Sequence, residues 1–157
     1  MTKIDFKKTL KHLYNPKKKF TMVDVPNMQY LVIDGDGGPV GQAYLDAIAA
    51  LYPVAYKLKF FSKIELEKDY VVPPLEGLWW ADDMNTFITR EKSAWEWTMM
   101  IMTPDWITTE IFSDAVEQVR LASLLVPELG LLLVYQLGEV GVGLVRQRVL
   151  SLGRQHF

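Results

Sequence analysis

Asp69-Tyr70-Val71-Val72-Pro73-Pro74-Leu75-Glu76-Gly77-Leu78-Trp79-Trp80 is the stretch around which the chain is organised. Its β-branched and aromatic residues favour an extended backbone, and Pro73-Pro74 exclude a helix through its middle. Side chains of an extended segment alternate, so Glu76, Leu78 and Trp80 share one face while Leu75, Gly77 and Trp79 share the other. A carboxylate with large apolar neighbours two and four residues on has two readings. Facing water, it is an ordinary edge-strand glutamate, since Glu is rarely buried without a partner. Buried, its charged form is disfavoured, and it becomes a candidate proton acceptor, general acid or counter-charge for a cation.

Upstream of this stretch, Val40, Tyr44, Leu45, Ile48, Leu51, Tyr52, Val54, Ala55 and Leu58 recur at helical spacing, and Phe60, Phe61 and Ile64 carry the pattern on. Pro39 suits the first helical position, and Pro53 predicts a kink or break near Leu51-Tyr52. Before the helix, Thr21 to Val25 and Met28 to Ile33 read as one strand with an irregularity at Pro26. Gly35-Asp36-Gly37-Gly38-Pro39 lies between strand and helix, in the order of a dinucleotide fingerprint, but Val40 stands where the third glycine belongs and Asp36 would face the phosphate. An ordinary turn with positive φ is the better reading. Ile4, Leu10 and Leu13 predict a short surface helix that Asn15-Pro16 ends. Downstream, Asp82 to Lys92 is a polar connector. From Ala94 to Thr103 residues alternate, with Trp95, Trp97, Met99 and Ile101 on one side and Glu96, Thr98, Met100 and Met102 on the other. Thr108 or Thr109 then caps a helix through Ile111, Phe112, Ala115, Val116 and Val119. The order is helix, then strand-helix-strand-strand, then helix, which predicts an α+β fold.

The chain of 157 residues suits a single domain over 1–157, and half of its residues are hydrophobic. A formal charge of −2 gives no global field for nucleic acid or an anionic membrane, so neither is expected as a partner. Lys3, Lys7, Lys8, Lys11, Lys17, Lys18 and Lys19 form a local exception, read as a solvated helix face rather than a nucleic-acid arm. No cysteine is present, which excludes disulfides, thiolate catalysis and cysteine-ligated metals. With His12 and His156 the only imidazoles, no metal site and no cofactor are expected. The N-terminus lacks the apolar core and small-residue cleavage site of a signal peptide, and a cytoplasmic address is expected.

Four ordered motifs resemble a known family: Tyr14-Asn15-Pro16-Lys17-Lys18 leading to Val23-Asp24-Val25-Pro26; Ile33-Asp34-Gly35-Asp36-Gly37; Pro74-Leu75-Glu76-Gly77-Leu78-Trp79; and Trp97 through Thr98-Met99-Met100-Ile101-Met102-Thr103-Pro104-Asp105-Trp106-Ile107 to Thr108. Over residues 1 to about 120 the chain resembles the stand-alone GyrI-like small-molecule-binding proteins. The resemblance implies two strand-helix-strand-strand halves, in a GyrI-like or SOUL-like arrangement, with an aromatic-walled pocket between them. It also implies binding of lipophilic small molecules, and in some members hydrolysis of cyclopropanoid, DNA-alkylating compounds. On this chain it points to Glu76 as the catalytic carboxylate, with Trp79 or Trp80 beside it, and to a ligand-binding role for Trp95 or Trp97 and Tyr44 or Tyr56. Core packing is the competing reading for each tryptophan. A second class of function is a non-catalytic module that binds a protein partner such as gyrase.

Residues 121–157 depart from the family. They contain no Lys and no Asp, and their acids are Glu128 and Glu139. The His-x-Glu-Ile-Tyr-Leu-type motif that the resemblance implies for a second half is absent, so that half is expected to be atypical or truncated. Leu131 to Gln136 is expected as one strand and Val140 to Leu152 as a short amphipathic segment. The tail is expected to be out of frame or truncated, and resequencing that shows an uninterrupted reading past codon 120 to a natural stop would refute this. A foreign tail would leave a face open for a homodimer.

Overall fold

The computed structural model describes residues 2–15, 21–124, 141–145 and 148–151. Two short helical turns, α1 (Phe6–Thr9) and α2 (Lys11–Tyr14), precede β1 (Thr21–Asp24) and β2 (Met28–Asp36). The long helix α3 (Gln42–Glu65) follows, then β3 (Leu75–Trp80), α4 (Thr86–Thr89), a 3-10 turn at Lys92–Ala94, β4 (Glu96–Thr103), α5 (Thr109–Leu124), β5 (Gly141–Val145) and β6 (Arg148–Ser151). The fold is α+β, and β2-α3-β3-β4 forms the expected strand-helix-strand-strand unit. Its antiparallel sheet has the order β3-β4-β2-β5, while β1 pairs separately with β6.

Apolar periodicity fixes the core. Ala47, Ala50, Leu51, Val54, Ala55 and Leu58 of α3 are buried against Leu31 and Ile33 of β2 and Trp97, Met99 and Ile101 of β4. Ala115 and Val119 of α5 close the same cluster. Fully burying each large aliphatic side chain contributes about 1.5–3 kcal/mol, so this helix-covered face holds most of the hydrophobic stabilisation. The other face carries a smaller cluster of Met28, Tyr30, Met100 and Met102, onto which Phe6, Leu10 and Leu13 pack.

The N-terminal segment is placed over that second face by a parallel bridge of Ile4 to Tyr70. The Ile4 amide donates to the Asp69 carbonyl at 2.9 Å, and the Val71 amide donates to the Ile4 carbonyl at 2.8 Å. A buried Lys59–Asp69 ion pair at 3.0 Å joins the entry of β3 to α3. The Trp106 indole donates to Ser62 Oγ at 2.9 Å, and Ser62 Oγ donates to the Lys68 carbonyl at 2.6 Å, locking the turn after α3.

Several local expectations change. The strand read through Pro26 is two strands in different sheets, because Pro26-Asn27 interrupts the pairing between β1 and β2. The helix starts at Gln42 with Gly41 as its N-cap, so Pro39 lies in the preceding turn. α3 runs on through Pro53, which is exposed; on the solvent side, water can serve the carbonyl that the missing amide leaves free. The N-terminal helix is two turns joined at Leu10 rather than one. The connector after β3 holds α4 and the 3-10 turn. Within Val140 to Leu152 the described residues are the strands β5 and β6. Leu131 to Gln136 lies outside the described residues.

Candidate functional site

The sheet sorts its charges by face. β2, β3 and β4 contain four carboxylates, Asp34, Asp36, Glu76 and Glu96, and no basic residue. Strand parity and register put all four on the side opposite α3: Glu76 pairs with Met100 and Met100 with Val32, Leu78 pairs with Thr98 and Thr98 with Asp34, and Trp80 pairs with Glu96 and Glu96 with Asp36. One end of this face lies under α1 and α2 and is apolar. The other end is open and acidic, with Asp34, Asp36 and Glu96 exposed.

Glu76 stands at the boundary. It is half-buried beside Leu78, itself packed on the methionine-rich cluster. The Tyr14 hydroxyl of α2 donates to Glu76 Oε1 at 2.9 Å. Burial pushes the Glu76 carboxyl above its ordinary range, and the Tyr14 hydrogen bond opposes the rise without cancelling it. Burial and then the nearby Glu76 charge push the Tyr14 phenol up as well, so it remains a proton-bearing donor at neutral pH. The same two causes, in the same order, raise the phenol of Tyr30. Tyr30 is 4% exposed, and its hydroxyl donates to Met28 Sδ at 3.7 Å. The result is a desolvated carboxylate with one phenol bound to it, a second phenol within its field, and a soft thioether floor. Such a group can accept a proton from water or hold a cation, and once protonated it can donate to the phenol oxygen, which frees the phenol O–H for developing negative charge.

The aromatic residues proposed with Glu76 fall in three places. Tyr44, Trp79, Trp95 and Trp97 gather on the helix side, with centroids of Tyr44 and Trp79 5.9 Å apart, Trp79 and Trp95 6.0 Å, and Tyr44 and Trp97 5.9 Å. The sheet therefore separates these four from the Glu76 carboxylate. Trp97 is 1% exposed and covers Gly35, where any Cβ would overlap its ring. The indole N–H groups of Trp95 and Trp97 are buried and have no acceptor among the described residues. Trp80 shares the Glu76 face four residues along the strand, and its indole donates to Glu96 Oε2 at 2.6 Å. Tyr56 projects from α3, 48% exposed and stacked on Tyr52. Sequence reading missed the roles of Tyr14 and Tyr30. Parity placed Met100 with Thr98 and Glu96, but nothing local said that β2 and α2 would bring phenols to that face. Among the described residues no group of three or more His, Asp or Glu side chains could hold a metal ion.

No protein-family model matches the chain, and no curated protein matches it. Three solved structures from Listeria innocua are similar. An uncharacterized conserved protein has 34% identity and a TM-score of 0.78, over 92% of this chain and 67% of its own. A hydrolase has 35% identity and a TM-score of 0.72, over 92% and 69%. A further hydrolase has 35% identity and a TM-score of 0.75, over 92% and 67%. The chain belongs to the same family as these Listeria proteins. Coverage of 92% of 157 residues carries the likeness past residue 120 into the tail.

Proposed function

We propose that this chain binds a lipophilic, electrophilic small molecule on the Glu76 face of its sheet and hydrolyses it, as a GyrI-like protein. The observation that carries the reading is the Tyr14–Glu76 hydrogen bond at 2.9 Å on a carboxylate whose surroundings raise its pKa. Two similar structures are named hydrolases, which supports the reaction class. Four carboxylates on one face with no basic residue in the three strands favour a ligand of positive or partly positive character, and the exposed Trp80 ring offers a flat surface for it.

In the hydrolytic step Glu76 accepts a proton from a water whose oxygen bonds to the electrophilic carbon. The bond from that carbon to the leaving atom breaks and its electron pair departs with the leaving atom. Tyr14 gives that atom a proton and recovers one from Glu76, so the net change is addition of water. A strained cyclopropane conjugated to an electron acceptor meets these requirements.

A fluorescence titration of the full chain with planar lipophilic cations and cyclopropane-bearing electrophiles, with products followed by mass spectrometry, tests the proposal. Saturable quenching with gain of one water in the product is expected. Glu76→Gln is expected to lose turnover by about two orders of magnitude, the usual size of a general-base contribution, with unchanged circular dichroism. Turnover equal to that of the parent in Glu76→Gln overturns the assignment.

A further inference from the structure

The outer side of α3 carries a feature that the Glu76 site does not use. Tyr56, Phe60 and Ile64 are 48%, 50% and 68% exposed. At about 100° per residue, side chains four apart form a ridge that turns slowly round the helix, with Lys63 on one flank and Lys57 on the other. Both lysines are exposed. An open aromatic and aliphatic ridge of this kind marks a surface that meets something.

The charge beside the ridge says what. The Lys59 ammonium lies 4.5 Å from the Phe60 ring centroid and 3.0 Å from the Asp69 carboxylate. Lys63 and Lys3 also act on Asp69, holding its carboxyl below the ordinary range after Lys59 has done most of that work. Three lysines thus converge on one buried acid, and the surplus is positive. Glu65 and Glu67 are the nearest acids in sequence; Glu65 lies about 140° round the helix from Phe60, and Glu67 is beyond the helix end.

We propose that this ridge seats the chain on an anionic lipid bilayer, with Tyr56, Phe60 and Ile64 entering the boundary between headgroups and acyl chains and Lys3, Lys57 and Lys63 meeting lipid phosphates. The whole-chain charge gave no reason to expect this; the local arrangement does. No helix among the described residues is long and apolar enough to cross a membrane, so the association is peripheral. A second copy fits less well, because twofold pairing over the ridge brings the exposed Lys57 and Lys63 of both copies to one seam. A convex ridge from one helix offers a folded acidic partner no recess, whereas a fluid bilayer adapts to it.

Flotation of the full chain with phosphatidylcholine vesicles, and with an equal mixture of phosphatidylcholine and phosphatidylglycerol, tests this. Binding to the mixed vesicles alone, reversed by high salt, is expected. Ile64→Ser and Lys57→Glu are each expected to weaken it about fivefold or more, with circular dichroism unchanged. Equal binding to both vesicles, no binding to either, or unaltered binding by both variants overturns the proposal. So does a concentration-dependent dimer in sedimentation that Ile64→Ser abolishes, which would assign the ridge to a second copy, or selective capture by an acidic protein while vesicles fail.

Discussion

Glu76 and Tyr14 oppose one another in a way that stability and activity should both report. Burial raises the Glu76 carboxyl and the Tyr14 hydrogen bond lowers it. A group whose folded pKa lies above its unfolded value stabilises the fold below the unfolded pKa, and that contribution is lost as pH rises through the folded pKa. Above the folded pKa the ionised Glu76 is therefore a cost, and there Glu76→Gln should unfold at the same temperature as the parent or higher, with the advantage fading in acid. Thermal unfolding across pH checks this; a lower melting temperature for the variant above that pKa would mean that the carboxylate stabilises the fold. Tyr14→Phe removes both the side-chain hydrogen bond that lowers the carboxyl and the proton that the leaving atom receives, so it should cost about 1–2 kcal/mol in urea unfolding, lower turnover, and move the pH midpoint of the residual turnover upward. A merely structural Tyr14 would change the urea midpoint and leave the pH midpoint in place. Glu76 stood out in the sequence because alternation alone set an acid among large apolar residues. Tyr14 did not, because it reaches Glu76 across 62 residues, carried there by the pairing of Ile4 with Tyr70 and the packing of Phe6, Leu10 and Leu13 on the sheet.

At the scale of elements, the helix-covered face depends on what is absent from β2. Gly35 lies under the Trp97 ring, and a Cβ there would overlap it. Gly35→Ala must displace a fully buried indole and should lower stability by about 1–3 kcal/mol, the usual cost of overpacking. Gly37 has φ +91 and open space around its α-carbon, so Gly37→Ala is strained by its backbone alone, at a cost of about 1 kcal/mol. Urea denaturation separates the two: near-ultraviolet circular dichroism of the tryptophan cluster should change in Gly35→Ala and stay the same in Gly37→Ala. A Gly35→Ala variant as stable as the parent would show that Trp97 has room to move. Periodicity made β3, β4, α3 and α5 legible, because each has one face that must be buried. It failed at Pro26 and Pro53 for one reason: the effect of a proline depends on whether its missing amide would have faced a partner strand or water, which is a tertiary fact. The side of the sheet on which each tryptophan lies was readable from parity, yet the grouping of Tyr44, Trp79, Trp95 and Trp97 apart from Glu76 needed the register of β3 on β4.

Over the whole molecule a small net charge conceals a separation of sign. The formal charge is −2, yet β2, β3 and β4 carry Asp34, Asp36, Glu76 and Glu96 on the face opposite α3 with no basic residue, while α3 carries Lys57, Lys59 and Lys63. A cationic ligand is drawn to the first surface by a field made of exposed groups, and salt screens such fields with a length of about 10 Å at 0.1 M and about 3 Å at 1 M. Affinity for a planar lipophilic cation should therefore fall several-fold between those conditions, in the association rate more than the dissociation rate. A neutral ligand of the same shape should lose little. Asp34→Asn with Asp36→Asn should flatten the salt dependence for the cation and spare the neutral ligand, since neither carboxylate is needed to move a proton. Stopped-flow binding at the two salt concentrations measures both rates. Equal salt dependence for the charged and neutral ligands would place the binding surface away from the acidic face, and Glu76 with it.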